Sequence, residues 1–307
     1  MAGEMSVGAF TAVFASLNMM FMIMNEVVSY HLGNMSQHIG KVANLIHLLE
    51  REEVIQEEGM PDFAQGIITE DVSFTYPGKK EPAVEQLSLH IKEKETIAIV
   101  GANGAGKSTV ARLLIGLYQP TQGTVKLGGV NSQHVNPKSL YSQTSAVFQR
   151  YQRYQMSLLE NVTISHLNTS FCEKSVQEVL DQVAFTHEAV NLQTMLAPEF
   201  GGIDLSGGQW QRLAIARGLY RTNEFIVLDE PTAAIDPIEE SNVYNQFKRL
   251  AQDKTAVLIT HRLGSAKFAD RIIVMDKGSI CEVGTHDELI AHSGHYAHMW
   301  QTQAKWY

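Results

Sequence analysis

The run Thr96–Val100, TIAIV, is short, apolar and rich in β-branched residues, and the glycine-rich stretch Gly101–Thr109, GANGAGKST, follows it directly. A continuous apolar run of this length is typical of a central strand that is covered on both faces of a sheet. The residues after the glycines, VARLLIGLY, have the apolar spacing of a helix. The order strand, glycine-rich loop and helix predicts an α/β fold with a mainly parallel sheet.

The glycine-rich loop matches the pattern G-x-x-x-x-G-K-[ST] between a strand and a helix, which is the context that the pattern requires. Gly101, Gly104 and Gly106 let the backbone curl so that successive N–H groups face one anion above a helix N-terminus. Lys107 would then reach the β- and γ-phosphates, and Ser108 would place its hydroxyl on Mg²⁺, which prefers hard oxygen ligands. We therefore expect a nucleoside triphosphate and Mg²⁺ at this loop.

A second strand, Phe225–Asp229, ends in two adjacent carboxylates, Asp229 and Glu230, at the sheet edge where parallel strands present their ligand crevice. Neighbours on a strand point to opposite sides, so Asp229 can face the shell of Mg²⁺ while Glu230 faces an attacking water. Pro231 favours a turn at this point. The pair predicts one acid on the metal side and one catalytic acid.

The first thirty residues have a different character from the rest of the chain. Met5–Met24 contains no ionisable side chain, and twenty residues at 1.5 Å each match a hydrocarbon layer of about 30 Å. Apolar residues at three- and four-residue steps then continue to Leu49, and Lys41 and Arg51 favour a cytosolic position for this extension. We predict a transmembrane helix over residues 1–30 and a cytosolic helical extension with a linker over residues 31–61; a buried helix is the alternative for the first segment.

Composition limits the classes of partner. The chain has 307 residues, 24 Lys+Arg against 33 Asp+Glu and a formal charge of −9, and it contains no block of basic residues. Phosphate contacts to nucleic acid require a clustered positive surface, so we expect no nucleic-acid partner. Cys172 and Cys281 lie far apart without a C-x-x-C spacing, which predicts neither a disulfide framework nor a zinc site.

Leu205–Gln209 reads LSGGQ about twenty residues before the FIVLDE strand. With the phosphate loop and the acidic strand end in the same order, this segment resembles the signature of the nucleotide-binding domain of ATP-binding cassette (ABC) transporters, and the resemblance extends over about residues 65–290. It implies a P-loop NTPase of ABC type in residues 62–307, with a helical subdomain at about residues 150–220 that carries LSGGQ. The transmembrane helix and its extension resemble the last membrane helix of an exporter.

The resemblance also implies roles for individual residues. ATP would be bound by the phosphate loop, by Tyr76 stacking on adenine and by Gln149; Mg²⁺ by Ser108, Gln149 and Asp229; and hydrolysis would involve Glu230, His261 as the switch histidine, and Lys107. The ATP-binding loop residues are Gly101, Asn103, Gly104, Ala105, Gly106, Lys107, Ser108 and Thr109. The signature residues Leu205, Ser206, Gly207, Gly208 and Gln209 would bind the ATP of a partner subunit, and Asp236 would form the D-loop.

These expectations describe an ATPase that powers export across the cytoplasmic membrane, with its nucleotide-binding domain on the cytosolic side. Its partners would be the membrane, a second ABC subunit in a head-to-tail homodimer or heterodimer, and a transported substrate. The segment RYQRYQMSLLENV after Gln149 resembles exporters for modified bacterial peptides, which favours a peptide cargo. Two departures from the family pattern, Ala233 in the D-loop and Trp210 after the signature, are not expected to abolish activity.

Exporters of this type usually carry six membrane helices before the nucleotide-binding domain, and one fits the N-terminal sequence here. Two interpretations stay open: a fragment of a longer six-helix exporter, and a truncated or regulatory ABC ATPase without transport activity of its own. A chromosome-organising or translation-related ATP switch is disfavoured, because neither a long coiled-coil insertion nor a tandem cassette is visible.

Overall fold

The computed structural model describes residues 6–28, 33–50, 59–166, 172–221, 223–230, 248 and 251–304. The chain forms two compact units, Met1–Ile55 and Gln56–Tyr307.

The N-terminal unit contains helix α1, Val7–Asn25, and helix α2, Gly33–Leu49. Two hydroxyl groups of α1 are satisfied within the helix: Thr11 Oγ1 donates to the carbonyl of Val7 at 3.0 Å, and Ser16 Oγ donates to the carbonyl of Ala12 at 2.9 Å. The stretch Val7–Val28 has a mean hydropathy of 1.8 over its most apolar window and is long and apolar enough to cross a membrane. Among the described residues it is the one helix that meets this criterion.

The larger unit contains two sheets. An antiparallel sheet has the order β2-β1-β4-β5, and a six-stranded sheet has the order β10-β9-β3-β8-β7-β6. In the second sheet β6, β7, β8, β3 and β9 are parallel, and β10 pairs antiparallel at one edge. The strands are β1 Ile67–Phe74, β2 Val84–Ile91, β3 Thr96–Gly101, β4 Gln122–Leu127, β5 Val130–Asn131, β6 Thr144–Val147, β7 Phe225–Asp229, β8 Thr255–Ile259, β9 Arg271–Asp276 and β10 Ser279–Gly284.

Helices pack against the sheets and against one another. In the described part of the larger unit they are α3 Lys107–Leu114, α4 Pro137–Ser142, α5 Leu158–Thr163, α6 Glu173–Gln182, α7 Gly207–Tyr220, α8 Leu263–Ala266, α9 His286–His292 and α10 His295–Ala304. Strands β3, β7 and β8 are buried along nearly their whole length, as their continuous apolar sequences predict. The predicted α/β class and the two predicted strands, β3 and β7, are therefore confirmed.

The helix after the glycine-rich loop begins earlier than the apolar spacing suggests. It starts at Lys107, directly after Gly106, and it ends at Leu114 rather than continuing through Tyr118. Gly106 has φ +95° and Gly116 has φ +71°, so left-handed backbone bounds the helix on both sides.

The parallel strands β3, β8, β7 and β6 are followed directly by the glycine-rich loop, His261, Glu230 and Gln149. These four features therefore lie at one carboxyl edge of the sheet.

Candidate active site

The phosphate loop adopts a conformation that its glycines make possible. Gly101, Gly104 and Gly106 have φ values of +152°, +83° and +95°. A Cβ on Gly101 would lie 2.2 Å from the carbonyl oxygen of Met275, and one on Gly106 would lie 2.5 Å from that of Ala83. Only glycine fits at these two positions, so the loop forms a backbone-lined cradle at the N-terminus of α3, which is the geometry that binds phosphate groups.

Lys107 is held inside this loop. Its Nζ donates to the carbonyl of Gly101 at 2.9 Å and to that of Ala102 at 3.0 Å. Burial lowers the pKa of the ammonium, and the nearby carboxylates of Glu230 and Asp229 oppose that shift. A cation placed within the cradle and facing two acids is suited to bind the charged oxygens of a polyphosphate.

Ser108 and Asp229 bring two oxygen donors together beneath the loop. Ser108 Oγ donates to Asp229 Oδ1 at 3.0 Å, and Asp229 is 2% exposed. Burial raises the pKa of Asp229, while the hydrogen bond from Ser108 lowers it. A hydroxyl beside a carboxylate is the hard-oxygen donor set that Mg²⁺ prefers, so the residues present fit this ion.

Glu230 occupies the centre of the site. Gln149 Nε2 donates to its Oε2 at 2.8 Å, and His261 Nδ1 lies 3.2 Å from its Oε1. Glu230 itself has φ +50°, a left-handed conformation that turns the chain away from β7 immediately after Asp229. This reversal is what separates the two adjacent acids, so that Asp229 faces Ser108 and Glu230 faces Gln149 and His261.

Aromatic residues form the wall next to the loop. Tyr76 OH hydrogen-bonds to Thr109 Oγ1 at 3.0 Å, and its ring packs edge-on against Phe74 and Tyr118 with centroids 5.0 and 5.9 Å apart. The guanidinium of Arg112 lies 5.6 Å from the centre of the Tyr118 ring. The hydroxyl contact fixes Tyr76 to the helix that follows the phosphate loop.

These groups line one open pocket of about 720 Å³. It is large enough for a nucleotide and lies in the crevice at the carboxyl edge of the parallel strands. Most of the residues expected from the sequence meet here, and Ala83 and Arg112 join them. The lining residues are Tyr76, Ala83, Asn103, Gly104, Gly106, Lys107, Ser108, Thr109, Arg112, Gln149, Glu230 and His261.

Three other predicted residues of this group lie close to the pocket without lining it. Gly101 closes the base of the loop, Ala105 is 3% exposed within the core, and Asp229 lies behind Ser108. Asp236, the predicted D-loop residue, lies outside the described residues, as does Ala233.

The signature segment, Leu205–Gln209, lies at the start of α7 and does not line this pocket. Ser206 is the N-cap: its hydroxyl accepts from the N–H of Gln209 at 3.3 Å, and Gln209 Oε1 accepts from the N–H of Ser206 at 3.0 Å. This reciprocal cap satisfies two backbone donors of the segment. Gly207 and Gly208 lie in open space, where a Cβ would meet no heavy atom within 4 Å.

Trp210 has a structural role that its departure from the family pattern did not reveal. The side chain is 2% exposed, and its Nε1 donates to Asp204 Oδ1 at 2.8 Å. The same carboxylate oxygen accepts from the N–H of Leu205 at 2.8 Å. Asp204 therefore joins the first residue of the signature segment to the first turn of α7, and the hydrogen bond from Trp210 is the chief cause that lowers the Asp204 pKa.

The segment after Gln149 is attached to α7 at two places. Tyr151 OH donates to the carbonyl of Gly207 at 3.0 Å. Further along the helix, Arg217 donates to the carbonyl of Gln152 at 2.6 Å and to both oxygens of Asn161, at 2.9 Å and 2.6 Å. The sequence does not reveal the pairing of Arg217 with Asn161, because a single Arg in a helix and a single Asn carry no pattern that identifies them as partners.

The larger unit matches known proteins. Residues 84–233 match the family model described as ABC transporter. The subtilin transport ATP-binding protein SpaT of Bacillus subtilis is 33% identical over 296 residues, covering 94% of this chain and 48% of that protein. The nisin transport ATP-binding protein NisT of Lactococcus lactis subsp. lactis is 33% identical over 270 residues, covering 84% of this chain and 45% of that protein.

Two further matches include nearly the whole chain. An ATP-dependent lipid A-core flippase of Mannheimia succiniciproducens is 32% identical over 314 residues, covering 99% of this chain and 52% of that protein. The solved structure of a bacterial Atm1-family ABC exporter with ATP bound is 28% identical with a TM-score of 0.76, covering 96% of this chain and 51% of that one. The chain spans about half the length of the curated relatives that it matches.

The sequence resemblance to ABC transporters is confirmed by these comparisons. The chain belongs to the ABC transporter family and carries the exporter-type ATP-binding domain of that family.

Proposed function

We propose that this chain binds ATP and Mg²⁺ in the described pocket, hydrolyses ATP there, and serves in an exporter of the cytoplasmic membrane. The observation that carries the proposal is the position of Glu230, whose two carboxylate oxygens contact Gln149 and His261 at the edge of the phosphate cradle. A carboxylate in this position can orient or deprotonate a water aimed at the terminal phosphate.

The residues around Glu230 bind the phosphates and the metal ion and stabilise the charge of the reaction. The cradle and Lys107 bind the phosphates, and Lys107 and His261 stabilise the charge that develops on the terminal phosphate. Ser108, Asp229 and Gln149 would hold Mg²⁺, which when bound neutralises phosphate charge. Tyr76 is proposed to stack on the adenine.

We propose that two ABC subunits share each nucleotide. The signature segment does not line the pocket of its own chain, yet it offers a helix N-terminus with two glycines in open space. Glycine lowers helix stability by about 1 kcal/mol relative to alanine in a helix interior. No neighbouring atom of the chain itself requires glycine at these two positions, so the two adjacent glycines favour close approach by another molecule. A head-to-tail dimer, with Asp236 at its interface, would bring this tip to the partner's nucleotide; the partner is a second copy or a related subunit.

The N-terminal unit supports attachment to a membrane. We propose that residues 1–30 are the last transmembrane helix of an exporter, that residues 31–61 are its cytosolic extension and linker, and that residues 62–307 are the ATP-binding domain on the cytosolic side. Within that domain, α5, α6 and α7 lie in the range of about residues 150–220 that we assign to the helical subdomain. The flippase match supports this assignment because its 99% coverage includes the N-terminal helices.

The cargo that we propose is a peptide. The relatives named for subtilin and nisin transport support this class, whereas the relatives named as lipid A-core flippases are the basis for a lipid alternative. Transport into sealed vesicles that contain the full chain and any subunit that copurifies with it would test the cargo class. ATP hydrolysis without movement of peptide or lipid would instead favour the regulatory or truncated ATPase.

Replacement of the catalytic acid tests the hydrolytic role. We expect Glu230→Gln to lower the ATPase rate at least about 100-fold, to retain ATP, and to accumulate a dimer in its presence. Glu224→Gln is the matched control, because Glu224 is exposed at the opposite end of β7. Hydrolysis by Glu230→Gln at the parent rate would rule out the role assigned to this residue.

A further inference from the structure

The side-chain amide of Gln303, on α10, contacts the backbone of the loop that follows β8. Its Nε2 donates to the carbonyl of His261, and its Oε1 accepts from the N–H of Leu263 at 2.9 Å. The Gln303 amide thus pairs with a backbone carbonyl and a backbone N–H that are two residues apart, as a neighbouring strand pairs with the edge strand of a sheet. The contact attaches the last described helix to the segment that carries the predicted switch histidine.

The helix that carries Gln303 is firmly anchored. Tyr296, in the first turn of α10, is fully buried and packs in the same apolar cluster as Leu263 and Ala266 of α8. Its hydroxyl also hydrogen-bonds to His286 Nδ1 at 2.8 Å. Because α8 and α10 share one core, the Gln303 amide approaches the His261–Leu263 backbone from a fixed direction.

His261 depends on its backbone for orientation. Its side chain is 44% exposed, so packing constrains the ring little, and the ring nitrogen Nδ1 lies 3.2 Å from Glu230 Oε1. The peptide group held by Gln303 is the one that leads out of His261. A shift of this peptide would move the ring relative to Glu230, and misplacement of a catalytic group by about 1 Å can cost about 100-fold in rate.

We propose that Gln303 is a positioning residue for ATP hydrolysis, which acts by holding the backbone of His261 so that the imidazole remains at Glu230 and at the terminal phosphate. This inference rests on the proposed catalytic role of His261. It assigns to the end of α10 a part in the reaction, although α10 contributes no residue to the pocket.

Substitution of Gln303 in the full chain, in lipid nanodiscs, tests the proposal. Gln303→Met keeps the length and loses both hydrogen bonds; Gln303→Glu keeps the acceptor for Leu263 and loses the donor to His261. We expect each variant to lower kcat about tenfold and to leave KM for ATP within about twofold, because the phosphate cradle is untouched. Gln301→Met, at an exposed position of the same helix, should match the parent.

A role in stability alone would give a different result. If Gln303 acts through His261, then adding Gln303→Met to His261→Ala should leave the residual single-turnover rate unchanged. A further tenfold fall in that double variant would overturn the proposal, as would parent-like kcat in Gln303→Glu, the variant chosen to preserve folding. The thermal unfolding midpoint, measured for every variant, identifies any that is not folded.

The two hypotheses fail separately. If His261→Ala hydrolyses ATP at the parent rate, the catalytic role of His261 is wrong and the inference about Gln303 falls with it. If His261→Ala is inactive while both Gln303 variants keep the parent kcat, the proposed function stands and the positioning role of Gln303 is overturned.

Discussion

Ser108 Oγ donates a hydrogen bond to Asp229 Oδ1 at 3.0 Å, although the two residues are 121 positions apart in the chain. The bond joins the first turn of α3 to the end of β7. It places a hydroxyl and a buried carboxylate side by side where the sequence analysis expected the Mg²⁺ site.

We expect Asp229→Asn to raise the stability of the chain and to lower its ATPase activity. Burial raises the Asp229 pKa, so the folded chain binds a proton at this carboxyl group more tightly than the unfolded chain does. The stability of the folded chain therefore falls as the pH rises from the ordinary pKa of Asp to the raised pKa. An amide still accepts from Ser108 and carries no charge to bury. In Mg²⁺-free buffer at neutral pH, the variant should therefore unfold at a temperature a few degrees above that of the parent.

The same substitution removes an anionic ligand from the proposed metal site, so we expect the ATPase rate to fall about 100-fold or more and the Mg²⁺ requirement to rise. Asp253→Asn is the control, because Asp253 is exposed and has φ +63°, a conformation that asparagine tolerates well. Full ATPase activity in Asp229→Asn at the usual Mg²⁺ concentration would exclude Asp229 as a metal ligand.

We expect replacement by alanine to have opposite effects on stability at Gly106, in the phosphate loop, and at Gly208, in the signature segment. Gly106 has φ +95° and an alanine Cβ there would lie 2.5 Å from the Ala83 carbonyl, so Gly106→Ala should lower the free energy of unfolding by about 1–3 kcal/mol from backbone strain alone. Gly208 is helical with open space around it, so Gly208→Ala should raise that free energy by up to about 1 kcal/mol. Denaturant unfolding of the two variants measures both effects.

Gly208→Ala should nevertheless lower the ATPase rate at least about tenfold, because a methyl group would obstruct approach of the partner's nucleotide to the helix tip. A variant that is both more stable and fully active would contradict the proposed contact between the signature segment and a second subunit.

Trp210→Phe tests how the signature segment is held. The hydrogen bond from Trp210 is the main cause of the lowered Asp204 pKa. The ionised carboxylate therefore stabilises the folded chain at pH values above the ordinary pKa of Asp. This stabilisation is lost as the pH falls through the lowered pKa of the folded chain. Trp210→Phe should lower the unfolding midpoint at about pH 7, and the difference from the parent should narrow at about pH 3.

Asp204→Asn provides the matched comparison for Trp210→Phe. Because the asparagine carries no charge, the effect of adding Trp210→Phe to it should depend much less on pH. A constant difference between Trp210→Phe and the parent across this pH range would mean that lost packing, rather than the link to Asp204, explains the effect of the substitution.

Local patterns were sufficient to predict much of this molecule. The apolar strands β3 and β7 and the glycine-rich loop are short, continuous segments whose physical requirements appear within a few residues of one another. The adjacent acids Asp229 and Glu230 could also be expected to face different partners, although the left-handed turn at Glu230, which lies beyond the end of β7, is what separates them. The functional assignments of these residues stay predictions until the variants above are measured.

Contacts between distant segments could not be predicted in this way. Arg217 and Asn161, Trp210 and Asp204, and Gln303 and His261 are ordinary residues in sequence, and nothing near them indicates a partner. Their hydrogen bonds arise because packing of α7 and α10 brings separate segments within 3 Å, and the free energy of burial decides which polar groups must then be paired.

By itself, the sequence determined the α/β class, the phosphate loop, the family and the one segment among the described residues that is apolar enough to span a membrane, since each depends on residues that are neighbours along the chain. The tertiary structure decided that Glu230 lies between Gln149 and His261, that the signature segment does not line the pocket of its own chain, and that Gln303 of the last described helix contacts the backbone of His261 and Leu263. These relationships depend on strand order and helix packing, which are set by burial of the whole core rather than by any local pattern.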